Sequence, residues 1–122
     1  METGRMFRKR ILVADDEPGV RDALKMLLSV DHHTVTEAGD GVEAFDLVMR
    51  HPFDLVITDY EMPRMKGNEL AVKIKAVSPS QPIIMITAYP ENLGNANNPV
   101  DAILNKPFQF EDLRQAITKL LS

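Results

Sequence analysis

Five residues have side chains suited to phosphate or metal chemistry, and each follows a short apolar run. Asp15 and Asp16 follow Ile11-Leu12-Val13-Ala14, and Asp59 follows Leu55-Val56-Ile57-Thr58. Thr87 ends Ile83-Ile84-Met85-Ile86, and Lys106 comes just after Ala102-Ile103-Leu104. If these runs are strands of one parallel sheet, all five groups share its carboxyl edge, where open α/β sheets bind ligands. Two like charges about 4 Å apart at an effective dielectric near 20 repel by roughly 4 kcal/mol, so three carboxylates need a cation to stay ionised together. Oxygen donors without His or Cys select a hard ion, Mg2+ or Mn2+. The metal and Lys106 would then form a pocket for a dianion such as a phosphoryl group. Thr87 can donate its hydroxyl to a phosphoryl oxygen. Asp59 is ionised at neutral pH and can act as a nucleophile without a general base. Phosphoryl transfer asks mainly for positioning and charge neutralisation. Taken singly, the acid pair reads as a helix N-cap and Asp59 as a turn residue. Their shared edge favours the chemical reading.

The elements that must position these groups follow from the apolar pattern. The continuous runs fit strands buried on both faces. Between them come helical stripes. Val20, Ala23, Leu24, Leu27 and Leu28 follow Pro18, which suits a first helical turn. Val42, Phe45, Val48 and Met49 follow Asp40, a candidate N-cap. Leu70, Ile74 and Val77 are closed by Ser78-Pro79, and Leu113, Ala116, Ile117, Leu120 and Leu121 form the last stripe. Thr34-Val35-Thr36 supplies a further short strand. Strands alternating with helices imply right-handed crossovers and a parallel sheet. Residues 90–100 contain Pro90, Gly94, Pro99 and asparagines at 92, 95, 97 and 98. They are expected to form at most a short, irregular fourth helix.

The 122-residue chain is the size of one domain, and 44% apolar with 26% charged residues marks it as globular. It has no cysteine, which excludes disulfides, thiolate metal sites and thiol catalysis. A net charge of −4 gives no global attraction to nucleic acid. No apolar run reaches membrane-spanning length, and no signal peptide is recognised. The expectation is a soluble cytoplasmic protein. Residues 1–10, with Arg5, Arg8, Lys9 and Arg10, read as a basic arm leading into a domain over 11–122. His32-His33 lies in a loop with no third ligand nearby in sequence, so no metal role is assigned to it. The seven methionines are read as core filling.

The motifs ILVADDEP at 11–18, DLVITDYEMPRMKG at 54–67, PIIMITAY at 82–89 and ILNKPF at 103–108 resemble the receiver domain of two-component response regulators, of the chemotaxis-receiver kind. The resemblance covers nearly the whole chain after the arm. It implies a flavodoxin-like α/β fold, with a five-stranded parallel sheet of order 2-1-3-4-5 and helices on both faces. It implies that Asp59 accepts the phosphoryl group, that Asp15, Asp16 and Asp59 hold Mg2+, and that the backbone carbonyl of Glu61 completes the metal site. Thr87 would be drawn toward the phosphoryl group and Lys106 would pair with one of its oxygens. The Lys106–Pro107 bond would be cis. The implied partners are a sensor histidine kinase or a histidine phosphotransfer protein, with a downstream protein target. No separate substrate would be turned over, and the chain itself would contact neither nucleic acid nor membrane.

Three features depart from that family pattern. Ile103 replaces the usual aromatic three residues before the lysine, and it has neither ring nor hydroxyl to swing outward. The stretch from Thr87 to Lys106 is short and rich in helix breakers. Glu61 and Tyr89 occupy variable positions flanking the site, where they either adjust how well water reaches an aspartyl phosphate or are ordinary rim residues. An alternative is a pseudo-receiver that binds partners without phosphorylation. A second is a metal-dependent aspartate phosphatase, which the Asp59-Tyr60-Glu61 run fits poorly. The chain ends directly after the last helical stripe, so it is read as a stand-alone receiver or a piece of a longer regulator.

Overall fold

The computed structural model describes residues 8–90 and 99–121. Five strands are present: β1 (Arg10–Ala14), β2 (Thr34–Ala38), β3 (Leu55–Asp59), β4 (Ile83–Thr87) and β5 (Ala102–Asn105). They pair in parallel in the order β2-β1-β3-β4-β5. Four helices are described: α1 (Pro18–Val30), α2 (Gly41–Arg50), α3 (Gly67–Val77) and α4 (Phe110–Leu121). The irregular helix expected between β4 and β5 falls mainly on residues 91–98, outside the described residues. Most of the expected basic arm, residues 1–7, lies outside them too.

The alternation of side chains along each strand explains the two-sided core. Ile11 and Val13 of β1 face one way and pack with Leu24 and Leu28 of α1 and with Leu113 and Ile117 of α4. Leu12 and Ala14 face the other way and pack with Ala44 of α2 and with Leu70, Ala71 and Ile74 of α3. Both faces of the central strands are therefore apolar, and β3 and β4 are buried along their whole length. The edge strand β2 is only partly covered, so its apolar signal is weaker and it runs two residues past the sequence expectation.

Helix starts follow local chemistry. Pro18 opens α1, and its missing N–H is one that the first turn leaves unpaired in any case. Asp40 caps α2 through a bond from Glu43 N (2.8 Å), while Glu43 Oε1 accepts from Gly39 N (2.8 Å) in return. Gly41 is required because a Cβ there would lie 2.5 Å from the Met65 carbonyl oxygen. This close approach lets the β3–α3 connection rest on the start of α2. Arg64, at φ 69°, reaches from that connection to Asp40 Oδ2 (2.7 Å). The Lys106–Pro107 bond is cis. Among the described residues, no helix is long and apolar enough to cross a membrane.

Candidate functional site

The parallel sheet delivers the five candidate residues to one edge. Asp59 is the last residue of β3 and Thr87 the last of β4. Asp15 extends β1 by one step, its N–H donating to the Ala38 carbonyl (3.1 Å). Lys106 follows β5, and its N–H donates to the Thr87 carbonyl (2.8 Å). One carboxylate oxygen from each of Asp15, Asp16 and Asp59 lies within 4.8 Å of the others. Lys106 Nζ is 2.9 Å from Asp59 Oδ1 and 3.9 Å from Asp15 Oδ2. Asp16, Asp59, Thr87 and Lys106 line a cavity of about 240 Å³, together with Glu17, Glu61, Ala88 and Tyr89.

Burial sets the electrostatics. Asp15 is 1% exposed and Asp59 6%, whereas Asp16 faces solvent. Desolvation pushes the Asp15 carboxyl up to about 6; a bond from Glu17 N opposes this and the Asp59 charge adds to it. Desolvation also raises Asp59, against the pull of the Lys106 ammonium. Burial works against the charge on Lys106, but its bond to Asp59 and the charges of Asp59 and Asp15 outweigh it and hold its pKa above the ordinary lysine value. Three carboxylates against one ammonium leave two negative charges unbalanced. An all-oxygen donor set with that surplus fits a hard divalent cation. Asp15, Asp16 and Asp59 are the side chains that could hold one.

The flanking groups are also placed. Thr87 is buried, and its Oγ1 accepts from Tyr89 N (3.1 Å), which leaves the hydroxyl proton free to be donated. Tyr89 is largely exposed. The Glu61 carboxylate turns to Lys66 Nζ (3.0 Å), which also lies 5.4 Å from the Tyr60 ring centre. His33 is buried away from this cluster, where its Nδ1 accepts from Lys9 N (3.1 Å). Ile103 sits on β5 beside Met85, 40% exposed.

Sequence reasoning missed Arg21. Its Nη1 donates to the backbone carbonyl of Asp15 (2.6 Å) and its Nε to Glu37 Oε1 (3.2 Å). A lone arginine one turn into an amphipathic helix reads as solvated surface. Its signal was the acidic Glu37 on β2, which pairs in register with Val13.

Comparison with known proteins places the chain in a family and bears out the fold. The family model described as the response regulator receiver domain matches residues 11–118. Response regulator MprA of Mycobacterium sp. (strain KMS) is 36% identical over 115 residues, covering 92% of this chain and 50% of MprA. The chain thus spans about half the length of the curated relatives it matches. Among solved structures, response regulator protein TrrA of Thermotoga maritima, in complex with Mg(2+)-BeF, is 37% identical with a TM-score of 0.88, covering 93% of this chain and 99% of that one. A CheY-like response regulator receiver domain protein from Methanospirillum hungatei JF-1 is 32% identical with a TM-score of 0.87, covering 93% and 94% of the two chains. The fold and site therefore define a receiver of two-component signalling. The chain belongs to the response regulator receiver domain family.

Proposed function

We propose that Asp59 accepts a phosphoryl group from a histidine kinase or histidine phosphotransfer protein, and that residues 11–122 act as a phosphorylation-controlled receiver. The observation that carries this reading is the Lys106 ammonium 2.9 Å from Asp59 Oδ1, beside three clustered carboxylates. A carboxylate oxygen of Asp59 attacks the phosphorus, the P–N bond to the donor imidazole breaks, and the imidazole departs with the electron pair and takes up a proton. Lys106 moves from the carboxylate oxygen to an equatorial phosphoryl oxygen as charge develops there. Thr87 donates its hydroxyl to a second such oxygen. Asp15, Asp16 and Asp59, with the Glu61 carbonyl, would hold Mg2+ or Mn2+. When bound, that ion neutralises the phosphoryl oxygens and the surplus carboxylate charge. The TrrA structure, solved with Mg(2+)-BeF, supports this assignment by similarity. The domain turns over no separate substrate, works in the cytoplasm beside its kinase, and passes its state to a downstream protein.

Intact-mass measurement after incubation with Mg2+ and a small acyl-phosphate donor tests the reading. One added phosphate is expected in the wild type and none in Asp59→Asn or without metal. Equal labelling of wild type and Asp59→Asn would remove Asp59 from its role. If neither is labelled and beryllofluoride fails to bind, a phosphorylation-independent interaction module is the better description.

A further inference from the structure

The acidic pair sits on a loop that has to hold two negative charges next to a third. Three bonds fix Asp15 there. Its N–H donates to Ala38 of β2 (3.1 Å), its Oδ1 accepts from Glu17 N (2.9 Å), and its carbonyl accepts from Arg21 Nη1 (2.6 Å). The carbonyl of Asp15 and the N–H of Asp16 belong to one rigid peptide plane. Whatever fixes that oxygen also fixes the direction in which the chain enters Asp16. Asp16 faces solvent, so packing does little to hold its direction.

Arg21 suits this task for reasons that can be read from its surroundings. Its side chain is only 20% exposed, so its charge is poorly screened by water. Its planar fork serves two acceptors at once, the Asp15 carbonyl and Glu37 Oε1 (3.2 Å). A bond from a charged donor is stronger than the neutral bonds that otherwise hold such a loop. Glu37 does not depend on Arg21 for its partner, because Lys25 Nζ is 3.6 Å from its other oxygen. The contact to the Asp15 carbonyl can therefore be separated experimentally from the helix–strand ion pair.

We propose that Arg21 is a positioning residue of the acidic pocket, which by holding the Asp15 carbonyl sets the direction of the Asp15–Asp16 peptide and so the presentation of both carboxylates to a divalent cation. This rests on the reading of the pocket as a cation-assisted phosphoacceptor site. The role is indirect, since Arg21 bonds the backbone behind the acids.

The test compares the full chain with Arg21→Met, Arg21→Lys and Glu37→Gln. Mg2+ affinity is read by calorimetric titration, stability by urea unfolding in chelator, and phosphate gain by intact mass. Arg21→Met should weaken Mg2+ binding about tenfold, the low end for a group that orients a metal ligand. Glu37→Gln should stay within about twofold, as expected for a change away from the ligands. Arg21→Lys should fall between them, since one ammonium cannot copy the fork. Phosphate gain in Arg21→Met should return at saturating Mg2+. Wild-type affinity in Arg21→Met, or equal weakening in Glu37→Gln, would overturn the proposal. If Arg21→Met does not fold, an unchanged affinity in Arg21→Lys overturns it instead. A wild type that neither binds Mg2+ nor gains phosphate would remove the underlying reading, and this one with it.

Discussion

Asp15 is the residue at which the requirements of folding and of the site conflict most directly. It is 1% exposed, beside two other acids, and the Lys106 ammonium stands 3.9 Å from its Oδ2. Its carboxyl titrates near 6 rather than at the ordinary 3.8. In the folded chain the proton is therefore held more tightly than in the unfolded one. Linkage fixes the sign: the metal-free protein is more stable below the unfolded value and loses that stability as pH rises through about 6. At pH 7 the ionised form costs the fold on the order of 1–3 kcal/mol. Asp15→Asn keeps the acceptor for Glu17 N and removes the charge. It should raise metal-free stability at pH 7 by about 1–2 kcal/mol, and the gain should shrink by pH 5. Urea midpoints at the two pH values with chelator present check this. A variant less stable than wild type at pH 7 would show that Asp15 supports the fold by its charge rather than burdening it. The cost is tolerated, on this account, because the same charge is what a cation would use.

The connection from β3 to α3 is the element that places Asp59, and its geometry turns on one glycine. Gly67 N donates to the Tyr60 carbonyl (2.9 Å), and a Cβ at Gly67 would collide with the Asp59 carbonyl oxygen and come within 2.9 Å of Met85 Sδ. Gly67→Ala should therefore lower stability by about 1–3 kcal/mol, the usual cost of overpacking. Gly19, in the first turn of α1, has nothing within 4 Å of its missing Cβ. Gly19→Ala should raise stability by about 0.5 kcal/mol, because alanine loses less backbone entropy in a helix. Opposite shifts of the two urea midpoints are the expected result, and a neutral Gly67→Ala would show that the connection can yield. The strands were legible in the sequence because β1, β3 and β4 are covered on both faces and so leave unbroken apolar runs. The start of α2 was legible because Asp40 and Glu43 cap it with their side chains. The start of α3 was less legible, since Lys66 occupies its N-cap without a side-chain bond and is paired with Glu61 instead. Arg21 was hardly legible, because one partner is a backbone oxygen and its only sequence signal, the acidic Glu37, lies sixteen positions away.

At the scale of the whole molecule, parallel pairing is what turns scattered acids into a pocket. Every strand runs the same way, so residues that end β1, β3, β4 and β5 meet although they come from four distant segments. That convergence was visible from the sequence because each polar residue stood at the end of an apolar run, whereas the distances between them were not. The helices on both sides then bury the strands and leave the charged edge open. The cation-binding character proposed for this edge has a global consequence. A ligand that binds the folded chain and not the unfolded one stabilises it by mass action, by about 2.7 kcal/mol at one hundred times Kd. For a domain of this length that corresponds to a rise in Tm on the order of 10 °C. Mg2+ should therefore raise the Tm of the wild type, measured against an equal ionic strength of sodium chloride. Asp59→Asn should show a smaller rise, since it removes one of the three clustered carboxylates. The sodium chloride control supplies the screening for each protein, so the shift beyond it reports ligation, and its decrease in Asp59→Asn reports the share of Asp59. A Tm that does not respond to Mg2+ beyond the sodium chloride control would mean that the clustered acids do not form a metal site.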